Sequence, residues 1–60
     1  MAMYEVIWAA AKGYHKTNGT GVVSAINTAE AILRIKRENR VVKKYVQEGY
    51  NVEFEVNLKK

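Results

Sequence analysis

Glycines, hydroxyls, an imidazole and an amine come together in one stretch of the chain, Gly13-Tyr14-His15-Lys16-Thr17-Asn18-Gly19-Thr20-Gly21. A phosphate-binding loop of the familiar kind needs a lysine and a hydroxyl residue directly after its second glycine, and then a helix. Here Thr20 and Gly21 follow Gly19, and the expected continuation is a strand. Backbone N–H groups in such a turn can contact a phosphate, but glycine is also what a tight hairpin requires. His15 is the sole histidine and cysteine is absent, so neither a nucleophile–base dyad nor a tetrahedral metal site can be assembled. It is read as a strand-surface residue. Glu53 and Glu55 pair two carboxylates on one strand face, an arrangement suited to acid–base or metal work and equally to protecting a sheet edge; the second reading is preferred. The expectation is a non-enzymatic chain with no cofactor and no metal.

The strongest chemical signal is charge. Ten Lys and Arg against six Asp and Glu give a formal net charge of +4, and the cations concentrate between Arg34 and Lys44. At 100° per residue, Lys36, Arg37, Arg40, Lys43 and Lys44 share one helical face, opposite an apolar stripe of Ala31, Ile32, Ile35, Val42, Tyr45 and Val46. A solvated helix face is the plain reading. Yet like charges at i,i+4 repel by a few tenths of a kcal/mol per pair, a cost that is offset if the face meets anions. Leu33 and Val41 lie among the polar positions and form the apolar centre of a candidate partner surface. Asn39 falls inside the apolar stripe, where it either reaches a solvated edge or faces its equivalent across a helix–helix contact and sets the register of an oligomer.

The elements that must carry these residues can be read along the chain. Met3 to Ala11 is rich in β-branched and aromatic residues with one charge, which predicts a strand buried on much of both faces, although Ala9-Ala10-Ala11 also suits a helix. Asn18-Gly19 tolerates the positive φ angles of a type I′ turn and predicts a hairpin pairing Tyr14–Thr17 with Thr20–Val23, the second strand extending to Ile26. Asn27 followed by Glu30 predicts a capped helix start, and Gly49 the close of one long helix over Thr28–Glu48. Tyr50, Val52, Phe54, Val56 and Leu58 alternate with Asn51, Glu53, Glu55 and Asn57, the period of a strand with one buried face. The expected fold class is therefore α+β, one domain over residues 1–60, with a three-stranded, mainly antiparallel β-β-α-β sheet and one helix on one face. An apolar first strand favours the centre of the sheet, giving the order 2-1-3; a third strand beside the second would instead be parallel to it.

A chain of 60 residues buries only roughly 60% of its unfolded surface on folding. Without disulfides or metal, a homo-oligomer, most simply a dimer, is expected to supply further stability. The lack of cysteine fits a reducing compartment, so cytoplasmic placement is expected. Glu5 interrupts the only early apolar run, and no stretch approaches a membrane span; no membrane partner is expected. Taken together, the sequence predicts an interaction protein that binds and modulates or inhibits a larger protein through the basic helix face. The alternatives are a nucleic-acid or nucleotide-phosphate binder using the same face, and a purely structural homo-oligomer.

Overall fold

A computed structural model describes residues 1–59. The β-branched and aromatic start of the chain forms β1, Ala2–Lys12, which turns at once into β2, His15–Ala25. Their register runs unbroken from Ala2 opposite Ala25 to Lys12 opposite His15. The hairpin therefore turns at Gly13-Tyr14, and the expected turn at Asn18-Gly19 is overturned: Asn18 and Gly19 lie within β2, opposite Ala9 and Trp8. Gly13 has φ +60°, and no non-glycine among the described residues has positive φ. A glycine alone at positive φ in the first central position is the requirement of a type II′ turn. Gly19 is needed for space instead. A Cβ there would lie 2.6 Å from Trp8 Cζ2, because the indole crosses the neighbouring strand above it.

Asn27 caps the first helix, its Oδ1 accepting from Glu30 N–H at 2.8 Å, while Glu30 Oε1 accepts from Ile26 N–H at 3.2 Å. The reciprocal bond thus reaches one residue further back than the cap itself. The expected single helix is two: α1, Thr28–Glu38, and α2, Arg40–Gln47. Asn39 breaks them apart with φ −83° and ψ 115°. Its own N–H closes α1 by donating to Ile35 C=O at 3.1 Å, and its Oδ1 opens α2 by accepting from the N–H groups of Val41 and Val42 at 3.0 and 3.1 Å. A short amide side chain can satisfy the first N–H groups of a new helix only from outside helical φ/ψ, which is why the break falls here. Gly49, at φ +85°, closes α2. The bonds Gly49 N–H to Val46 C=O and Tyr50 N–H to Tyr45 C=O form a Schellman motif, and Lys12 Nζ adds a cation at the same helix end by donating to Glu48 C=O at 2.8 Å.

β3, Asn51–Leu58, pairs antiparallel with β1, so the order is β2-β1-β3 and every neighbouring pair is antiparallel. Both helices pack on one face of this α+β sheet. Val6, Trp8 and Ala10 of β1 meet Ala25, Ala31, Ile35 and Val42 in the core, with Tyr4, Val23, Tyr45, Tyr50, Val52, Phe54 and Val56 around it. Ile35 reaches down onto Gly21, where a Cβ would stand 2.7 Å from its Cδ1. The other face of the sheet carries no layer, so β1 is buried on one side only: Ala9 is exposed and Glu5 and Ile7 are half-buried. Two helices totalling 19 residues suffice to cover a single face. No helix among the described residues is long and apolar enough to cross a membrane.

Candidate functional site

Lys36, Arg37, Arg40, Lys43 and Lys44 are all exposed. The break at Asn39 divides them, with Lys36 and Arg37 in the last turn of α1 and the other three on α2. They do not stand alike. Lys36 leans over the sheet, its Nζ 5.4 Å from the centre of the Phe54 ring, a cation–π contact that also shields a half-buried aromatic. Arg37, Arg40, Lys43 and Lys44 have no such partner among the described residues. Ion pairs among the described residues involve Arg34 alone, with Glu30 at 3.3 Å and Glu38 at 4.0 Å. Arg40 is the first residue of α2, whose first turn contains no acidic residue. A cation there faces the positive end of the helix dipole, which costs about 0.3–1 kcal/mol.

Leu33 and Val41 are 58% and 48% exposed, one on each helix. Val46, expected on the buried stripe, is 45% exposed, because the rotation lost at Asn39 turns the stripe of α2 towards Val42 and Tyr45. Asn39 is half-buried and its carbonyl oxygen is engaged within the chain. That capping role accounts for a polar residue in the apolar stripe without any helix–helix contact.

The remaining candidates separate. Glu53 and Glu55 project from the bare face of the sheet together with Glu5, since Ala9 and Ile7 stand opposite Glu53 and Glu55, and Glu5 opposite Asn57. Beside them lies a shallow depression of about 340 Å³, floored by Ala9, Ala10 and Ala11 and flanked by Lys16, Asn18 and Glu53. Glu5, Glu53 and Glu55 thus share the bare face with Lys16, while the exposed cations concentrate on the helical one. His15 is exposed, and its Nδ1 is 2.9 Å from Tyr50 Oη. Tyr50 in turn lies 4.7 Å, centre to centre, from Tyr45, and Tyr45 5.9 Å from Trp8. This aromatic row escaped the sequence reading because its members come from β1, β2, α2 and the connection before β3. Among the described residues, no group of three or more His, Asp or Glu side chains gathers as a metal site. No protein-family model, curated protein or solved structure matches the chain.

Proposed function

We propose that this chain is a non-enzymatic interaction protein that docks on an acidic surface of a larger protein and modulates or inhibits it. Arg37, Arg40, Lys43 and Lys44 make the polar contacts, with Leu33 and Val41 as the apolar centre. The observation that carries this reading is the row of cations without ion pairs among the described residues, one of them set against the dipole of its own helix. A helix that served stability alone would gain from an acidic residue at Arg40, in the first turn of α2, and from mixed signs along the face. Exposed aliphatics on both helices favour a protein over a nucleic acid, whose contacts are dominated by phosphate. A cysteine-free chain suits the reducing conditions of the cytoplasm, which is the placement proposed with this function.

The test is capture on tagged protein from nuclease-treated and untreated lysate, repeated with Arg37, Arg40 and Lys43 all replaced by glutamate. Arg37 ends one helix and Arg40 begins the next, so the dipole effects of these two reversals oppose each other and the fold is retained. The expected result is a protein partner that survives nuclease, is lost on charge reversal and retains affinity at high salt. Recovery of nucleic acid alone, with log affinity falling linearly in log salt, would replace the proposal. So would a partner that binds the folded triple variant as well as the parent.

A further inference from the structure

The two outer strands of the sheet are built differently. β3 is guarded: Glu53 and Glu55 flank its centre, and pairing β3 with its equivalent around Phe54 would set carboxylate opposite carboxylate, a repulsive arrangement. β2 has no such guard. It runs for 11 residues without proline, acid or bulge, and its only Lys or Arg is Lys16, near one end. Alternate residues of an antiparallel ladder turn their N–H and C=O away from the partner strand. Counted from the two-residue turn, these are Lys16, Asn18, Thr20, Val22 and Ser24. Among the described residues, no hydrogen bond outside the β1 ladder reaches the backbone of β2. Such an edge is a template for a further strand.

We infer that β2 pairs antiparallel with β2 of a second copy, on a two-fold axis at Thr20, extending the sheet to six strands. Thr20 is the middle residue of β2. Centring there sets Thr20 opposite its equivalent, Val22 opposite Asn18 and Ser24 opposite Lys16, so that every outward-facing backbone group meets another. The two Lys16 residues then lie eight positions apart along the strands, roughly 27 Å at 3.4 Å per residue, too far to repel appreciably in physiological salt. A two-fold axis normal to the sheet keeps both helical layers on the same side. The flank of α1 nearest this seam is the neutralised one, where Glu38 and Asn39 line a cleft with Gly21, Val22 and Val23. Lys36 points the other way, over β3. The dimer therefore leaves the unpaired cations exposed and presents two sets of them on one surface. It supplies the stabilising association expected of so small a core, at a seam other than Asn39.

The inference stands on the β2 edge and does not depend on what the basic face binds. Light scattering at high micromolar concentration is expected to give twice the 6.8 kDa chain mass, and amide exchange to show concentration-dependent protection at Lys16, Asn18, Thr20, Val22 and Ser24. Thr20→Lys, at an exposed position, brings two cations face to face on the axis and should return the mass to one chain with an unchanged circular dichroism spectrum. Because the chain has no cysteine, Thr20→Cys should oxidise to a covalent dimer while Glu55→Cys does not. A parent of single-chain mass overturns the inference. So does a dimer that survives Thr20→Lys, or protection of the β2 amides only when another protein is added.

Discussion

Replacing Gly19 by alanine separates a strand glycine from a turn glycine. A Cβ at position 19 would stand 2.6 Å from Trp8 Cζ2 and 2.9 Å from Cε2, where ordinary contact needs about 3.5 Å or more. The indole must move by about 1 Å, yet it is 5% exposed and packed against Tyr45. Overpacking of this kind costs about 1–3 kcal/mol. Against it stands a gain of about 0.4–1 kcal/mol from restricting the unfolded chain, since Gly19 does not have positive φ and alanine can adopt its conformation. The net expectation is a loss of about 1–2 kcal/mol, measured by urea denaturation followed by circular dichroism and by the fluorescence of the sole tryptophan. In a Trp8→Phe background the smaller ring does not reach the added methyl, so the loss should fall by about 1 kcal/mol, a coupling that a double-mutant cycle resolves. Were Asn18-Gly19 a left-handed turn, the cost would come from φ and be the same in both backgrounds. Equal losses, or a stabilised Gly19→Ala, would refute the placement of Trp8 over β2.

Further perturbations test other elements of the same structure. Asn39→Ala removes the bonds to the Val41 and Val42 N–H groups and should cost about 1 kcal/mol, whereas Asn39→Asp keeps the acceptor and stays near the parent; equal denaturation midpoints for all three proteins would contradict the cap. Arg40→Glu should stabilise the fold by about 0.3–1 kcal/mol by reversing a charge at the start of α2, and a lowered thermal midpoint would show that the arginine supports the fold. Phe54→Ala should cost about 2 kcal/mol, less than for a fully buried ring because Phe54 is only half-buried under Lys36, while Glu55→Ala stays within about 0.5 kcal/mol; similar shifts in chemical denaturation would reverse the face assignment of β3. Gly13→Ala, at φ +60° with open space around it, should cost about 1–2 kcal/mol from backbone strain alone, unchanged by Trp8→Phe.

The order β2-β1-β3 is one of two that composition and alternation left open, and the apolar first strand favoured it. The caps at Asn27 and Gly49 were legible from local sequence. What failed was local signal in competition with tertiary contact. Asn18-Gly19 has the sequence of a turn, but Trp8 requires a residue without a side chain opposite it, and Gly13 provides the turn at lower cost. Asn39 reads as an anomaly in one helix until its side chain is seen to begin another. Of the candidate site, the exposure of the cations was legible from helical periodicity. The diversion of Lys36 onto Phe54 was not, since it depends on how close β3 lies to α1.

The separation of charge between the two faces has a kinetic consequence. Glu5, Glu53 and Glu55, offset in part by Lys16, on the bare side and Arg37, Arg40, Lys43 and Lys44 on the helical side make the protein an electric dipole with a net positive excess. In the field of an anionic surface such a body experiences a torque as well as an attraction, and so arrives with its helices leading. Oriented arrival of this kind can raise association rates by factors of about 10–10³ at low ionic strength. Removing the carboxylates of the bare face would increase the net charge yet weaken the turning moment, so Glu53→Gln and Glu55→Gln together separate attraction from orientation as contributions to the encounter rate.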